Sequence, residues 1–300
     1  MTIFPKIAAL AGAAWLCCTP AQAAITCSTV TATSVNGVYA SASALNRTGS
    51  VTVTCTRLAT DATTQLIYIS MNQGEPPNGR NMTRQTGTTL LAYRVYRNAD
   101  LTGSWSTGGG RAPGITNAGG LQVTFDFGST TTTVKSVTYP YYFNIAAGIV
   151  RAAGIYDDEA VGVTVRLSSS TGTVQSTTLF AVNASIVAEC RFSTSPTALA
   201  MTYTAFAASA VSAYSPFAIS CTESTTYGVS LGAASDVLLG LKYDLLLVAA
   251  ASDTPLAASL TGSGFAQSYR VKGTIAAGQA GSCATGTCTG SAPRTITITY

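Results

Sequence analysis

The sequence predicts an all-β protein built as two tandem β-sandwiches, on three observations. The chain is rich in Thr, Ser, Ala and Gly with scattered Val and Ile, and only 9% of its residues are charged. That composition favours strands and turns over helices. Short runs alternate apolar and polar residues with period two, as in "VTVTCT" (51–56), "AVGVTVRL" (160–167) and "RTITITY" (294–300). The same landmarks also occur twice in one order, and 300 residues suit two domains. A net charge of +4, spread along the chain, gives no footprint for nucleic acid.

Residues 1–23, "MTIFPKIAALAGAAWLCCTPAQA", hold a single Lys, an apolar run over 7–16 and a small-residue ending, Ala21-Gln22-Ala23. This is the pattern of a secretory signal peptide, too short to span a bilayer. Trp15 fits poorly with a lipid anchor on Cys17, so the mature chain is expected to begin at about Ala24. Two domains follow, 24–188 and 189–300.

Removing the signal takes two of the 8 cysteines with it. Cys27, Cys55, Cys190, Cys221, Cys283 and Cys288 remain, an even set in an exported chain and therefore a disulfide framework. With His 0 and no Cys-x-x-Cys pair, zinc is a poor reading. Near-equal spacings favour Cys27 with Cys55 and Cys190 with Cys221, leaving Cys283 and Cys288 to close a small local loop.

The repeat runs as follows. "VTVTCT" at 51–56 matches "FAISCT" at 217–222, "LAY" at 91–93 matches "LKY" at 241–243, and "IAAG" occurs at 145–148 and 275–278. Both copies then reach an alternating strand. Short strands joined by Gly- and Ser-rich turns make each half a sandwich. The first half carries extra residues in "MNQGEPPNGRNMTRQTG" (71–87) and "SWSTGGGRAPGITNAGG" (104–120), which read as long loops, the usual seat of binding sites. "VLLGLKYDLLLVAAA" (237–251) is very apolar, but Lys242 and Asp244 speak against a membrane span, and a buried strand is expected. The copies end differently. In the first, "VGVTVRL" is followed by a turn, "SSSTGT", and a further strand, "VQSTTLFAVNASI" (174–186); in the second, the matching strand is "RTITITY". Its Ile296, Ile298 and Tyr300 share one face.

A Cys near the start, "VTVTCT", "LAYRVYRNADLTGSW", "RAAGIYDD" (151–158) and the ending "TITITY" together resemble the spore coat protein U-like domain, from which archaic chaperone–usher pilus subunits are built. In the second half, "GSCATGTCTGS" stands where the first has "RAAGIYDD". The resemblance implies immunoglobulin-like sandwiches, the C-terminal one incomplete and completed by a donor strand. The expected partners are a periplasmic chaperone, an outer-membrane usher, an adjacent pilin donating the strand, and a surface or receptor ligand. The acceptor edge falls on Ile296, Ile298 and Tyr300. Only Ala24, Ile25 and Thr26 stand between the signal and Cys27, which leaves no donor segment and gives the layout of a two-domain tip adhesin, exported through the periplasm to the cell surface. Surface-binding loops are expected around Pro76, Pro77, Ile115, Tyr141, Ile149 and Val150, and Trp105 in the core.

Other classes were weighed on residues. Without His, Ser-His and Cys-His chemistry has no base, and Asp157, Asp158 and Glu159 read as a solvated loop rather than a carboxylate or Ca²⁺ site. No enzyme activity, cofactor or metal is expected. The alternatives are a structural pilin or spore-coat-like secreted protein without adhesive role, or a free secreted lectin-like protein; the open final strand weighs against the last.

Overall fold

The computed structural model describes residues 25–72, 80–105, 119–284 and 286–300. Every regular element among them is a strand, and the protein is all-β. The signal segment 1–23 lies outside the described residues. In the first half, β1 (Thr26–Ala32), β2 (Leu45–Thr56), β3 (Thr64–Met71), β4 (Asn81–Arg84), β5 (Leu90–Ala92), β6 (Arg94–Tyr96), β7 (Leu121–Asp126), β8 (Val134–Ile145), β9 (Gly154–Leu167) and β10 (Val174–Ile186) form two sheets. One has the order β1-β2-β8-β6; the other runs β5-β4-β9-β3-β7, with β10 on the free flank of β9.

Period-two alternation decides which residues meet between these sheets. Val51, Val53 and Cys55 of β2 and Val161, Val163 and Val165 of β9 are fully buried in one shared core. The threonines between them point outward and pair across strands: Thr52 with Thr138 at 2.8 Å, and Thr54 with Ser136 at 2.6 Å.

The second half repeats the plan with β11 (Cys190–Thr194), β12 (Val211–Cys221), β13 (Thr226–Leu231), β14 (Ser235–Leu238), β15 (Leu241–Ala249), β16 (Leu260–Thr261), β17 (Ala266–Ile275) and β18 (Ile296–Thr299). Its sheets are β11-β12-β17-β15-β14 and β16-β13-β18. Phe217, Ile219, Tyr227, Leu247, Tyr269 and Val271 form a core that shares no residue with the first. Disulfides join Cys27 to Cys55 between β1 and β2, Cys190 to Cys221 between β11 and β12, and Cys283 to Cys288 within the connector to β18.

The duplicated "IAAG" has a structural cause. Gly148 and Gly278 both adopt a left-handed backbone, at φ 84° and 77°, which a side chain resists. Each presents the next amide to a tyrosine hydroxyl. Ile149 N donates to Tyr39 Oη at 3.0 Å, and Gln279 N donates to Tyr203 Oη at 2.9 Å. Each glycine's own N–H caps a nearby carbonyl, Ser41 O at 2.7 Å and Ala207 O at 2.9 Å.

Three sequence expectations need correction. The apolar stretch 237–251 is not one buried strand. Leu239 and Gly240 take φ 54° and 71°, the two-residue turn that suits a tight hairpin, so β14 folds back on β15 and leaves Val237 60% exposed. Asp157 and Asp158 are not in a loop but in β9. Asp158 is buried and accepts a 2.7 Å hydrogen bond from Tyr93 Oη, while Asp157 accepts one from Gln85 at 2.6 Å. Part of the stretch read as a loop over 71–87 forms β4.

Two predictions rest on this framework. The double variant Cys190→Ala with Cys221→Ala should lose roughly 3.7 kcal/mol by the loop-closure relation for a separation of 31 residues, read from urea unfolding of the oxidised protein. Burial pushes the Tyr141 phenol up to about 12, whereas the unfolded value is about 10; its hydroxyl donates to the Thr33 carbonyl. The stabilisation is therefore whole below about pH 10 and is lost as pH rises toward about 12. Tyr141→Phe should cost about 1 kcal/mol at neutral pH yet lose less than the parent over that alkaline window.

Candidate functional site

Two strands, β9 and β18, match across the repeat. β9 pairs antiparallel with β3, and β18 pairs antiparallel with β13. On its other side β9 is covered along nearly its whole length by β10, from Val174 opposite Arg166 to Ile186 opposite Gly154. Phe180, Val182, Ala184 and Ile186 of β10 point into the core, all below 10% exposed. The outer edge of β10 is closed in turn by a parallel segment at 35–39. Val35 N and Tyr39 N donate to Ala181 O and Ser185 O, and Gly37 and Val35 carbonyls accept from Ser185 and Asn183. The first half thus completes its own sheet.

Among the described residues β18 has no such cover. Its register with β13 sets Gly228 opposite Thr299, Val229 opposite Ile298, Ser230 opposite Thr297 and Leu231 opposite Ile296. The ladder continues one step further, with Gly232 N donating to Thr295 O at 2.9 Å. The far side of β13 is taken by β16. β18 is therefore an edge strand with one unpaired flank. Ile296 and Ile298 pack on the second core but remain only partly buried, unlike the fully buried valines of β9. Tyr300 is 62% exposed, so it does not continue their inward row.

Arg294, just ahead of β18, was not singled out by the sequence reading. Its Nη2 reaches Asp236 Oδ2 at 2.5 Å and donates to Tyr243 Oη, while the guanidinium carbon lies 5.5 Å from the Tyr243 ring centre. A backbone hydrogen bond from Val237, then the Arg294 guanidinium, holds the Asp236 carboxyl below its ordinary value. A signal for Arg294 existed: it shares the parity of Ile296 and Ile298, and a cation in line with an apolar face must find a partner. Arg57 obeys the same rule, continuing the inward parity of Val51, Val53 and Cys55. It is 5% exposed. It donates to the carbonyls of Thr132, Leu58, Ala59, Asp61 and Ser129 over 2.7–3.4 Å and lies over the Phe127 ring, tying loops 57–63 and 127–133 together.

The residues expected to form a surface-binding set are not brought together. Pro76, Pro77 and Ile115 lie outside the described residues. Tyr141 is corrected: it sits within β8, fully buried, and packs so close to β2 that a Cβ on Gly49 would fall 2.1 Å from its ring. Ile149 and Val150 are partly buried rather than projecting. The Tyr39 hydroxyl holds the Ile149 amide, and Val150 presses against Gly264, where a Cβ would lie 1.9 Å from it. Trp105 is in the first core.

Comparison with known proteins gives a family. The model of the Spore Coat Protein U domain matches residues 14–164 of the 300. No curated protein matches the chain. Among solved structures, the chain is similar to one from Acinetobacter baumannii, the CsuC-CsuE chaperone-tip adhesion subunit pre-assembly complex of archaic chaperone-usher Csu pili. The identity there is 12% and the TM-score 0.40, over 92% of this chain and 99% of that one.

The unequal burial of matching strands gives a prediction. Ile67→Ala, at a fully buried site on β3, should cost about 2–5 kcal/mol. Ile298→Ala should cost less than half as much, because its side chain is already part-solvated. Denaturant midpoints of the two variants, referred to their own transitions, check this.

Proposed function

The chain belongs to the Spore Coat Protein U domain family, and from that premise we propose that it is an exported pilus subunit whose second half takes up a strand from another protein along β18. One observation carries this reading: β9 is covered by β10, and among the described residues its counterpart β18 is bare on the same flank. An exposed strand edge is a template for backbone pairing, and strand addition is the mode of recognition that uses it. The energetic gap is large. In the first half β10 supplies Phe180, Val182 and Ile186 to the core; at about 1.5–3 kcal/mol for each buried side chain, such a strand contributes on the order of 5–9 kcal/mol. Whole-domain stability is only about 5–15 kcal/mol. A second half without that strand is therefore marginal, and a supplied strand is worth most of its stability.

The donors under this reading are a periplasmic chaperone during export, with hand-over at an outer-membrane usher, and then a neighbouring pilin. The separate cores support a division into domains 24–188 and 189–300. The first, closed by its own β10 and by residues 35–39, needs no partner to finish its sheet. That supports placing it outermost, at the pilus tip, with adhesion to a surface or receptor as its role. The three disulfides suit an oxidising, exported setting. The work is binding and assembly rather than catalysis.

The test is to express the mature chain alone, with a chaperone, and with the segment "VQSTTLFAVNASI" fused through a short linker after Tyr300. The fused strand should raise the melting temperature of the second half and the soluble yield. If the unaided chain already melts cooperatively as a stable monomer and the fusion adds nothing, the acceptor reading fails. Residues 24–188 alone should retain attachment to the target surface; attachment that follows 189–300 instead would remove the adhesive role from the first half.

A further inference from the structure

Taking up a strand requires β18 to stay in register while its outer flank is unpaired. β18 is four residues long and, among the described residues, bonded to a single neighbour, and strands so placed fray. The connector between β17 and β18 is irregular, yet it is fastened to the β14–β15 hairpin at both ends. At its start, Gln279 pairs reciprocally with the backbone of Lys242, Lys242 N to Oε1 at 2.7 Å and Nε2 to Lys242 O at 2.9 Å. Ser282 N donates to Leu239 O at 2.8 Å. Cys283 and Cys288 then close a small ring, and Gly290 lies against Leu238 and Leu239. At its end, Arg294 grips Asp236 and Tyr243, which face each other as partners across β14 and β15. The hairpin belongs to one sheet and β18 to the other, so Arg294 is a strut between the layers, two residues from Ile296.

We propose that the clasp of Arg294 on Asp236 and Tyr243 is the positioning device of the acceptor edge, holding β18 as a preformed ladder before any strand arrives. This rests on the acceptor reading given above. Arg294 touches no incoming strand. It acts through β18, by fixing where that strand starts and by keeping Ile296 and Ile298 on the core. A planar guanidinium is suited to this because it can fork to a carboxylate and a hydroxyl while stacking on an aromatic ring; an ammonium supplies only a point charge. An exposed ion pair alone contributes little, but here the guanidinium is largely covered, with side-chain exposure of 21% against 52% for Asp236, and the ring of Tyr243 lies beneath it. An edge held in advance also lowers the ordering cost that an incoming strand must meet.

The test uses the full chain, with the synthetic peptide Val174–Ile186 as probe, since that segment covers the matching flank of β9. Hydrogen exchange and peptide affinity are measured for the parent and for Arg294→Gln. The variant should speed amide exchange in β18 by roughly tenfold while β12 and β17 exchange at the parent rate, and should bind the peptide roughly tenfold more weakly. Arg294→Lys should recover only part of both. The exchanged pair Asp236→Arg with Arg294→Asp should recover more than either single change, which a merely disruptive substitution would not. Tyr243→Phe, which removes one acceptor and keeps the ring, serves if Arg294→Gln unfolds the second half, and it should show the same two effects at smaller size. Unchanged β18 exchange and unchanged affinity in these variants overturn the clasp and leave the acceptor reading standing. A parent chain that does not take up the peptide overturns the acceptor reading and the clasp's part in strand capture; the exchange measurement then decides by itself whether Arg294 holds β18.

Discussion

Backbone pairing along the outer flank of one strand governs this molecule. A strand buries its apolar face against the opposite sheet, but its N–H and C=O groups must also be met on both sides if that face is to be dry. In the first half β10 meets them for β9, and residues 35–39 then meet those of β10. The consequence is visible in the core: Val161, Val163 and Val165 are sealed. In the second half the flank of β18 stands open among the described residues, and Ile296 and Ile298 are sealed only in part. The two halves share a plan, and among their differences the proposed function follows from this strand.

Polar side chains at or near the cores do the local positioning. Tyr39 and Tyr203 hold the same turn in the two copies, each through the amide after a left-handed glycine. Arg57 satisfies five carbonyls from two loops that would otherwise leave unpaired groups near the core, and Arg294 joins a hairpin of one sheet to the edge of the other. Arg57 enters the apolar interior with its guanidinium bonds made there, whereas Arg294 and Tyr203 are half-buried. Each also restricts a loop or strand end that has little apolar surface of its own to fix it.

The places where sequence reasoning misled share a cause. Tyr141 looks like a surface aromatic beside Pro140, yet it lies inward on β8, with its hydroxyl capped by Thr33 and its ring against the glycine at 49. Asp158 looks solvated in an acidic run, yet it turns inward and meets the Tyr93 hydroxyl. The apolar stretch 237–251 looks like one strand, yet two left-handed residues fold it into a hairpin. Each outcome depends on a partner distant in sequence or on a backbone angle, and neither is written in local composition.

What the sequence by itself determined is whatever depends on period and order. Alternation marked β2, β9 and β18 as amphipathic strands, because successive side chains of a strand face opposite ways. The repeated landmarks exposed the duplication. The order of the sequence's motifs also carries the resemblance to the Spore Coat Protein U family. Tertiary structure alone decided which flank of each strand is covered, that residues 35–39 close the first sheet in parallel, and that Arg294 lands on Asp236 and Tyr243. Strand pairing is set by contacts across long separations, and hydrogen-bonded backbone groups are the same in every residue, so no local pattern distinguishes a covered edge from an open one.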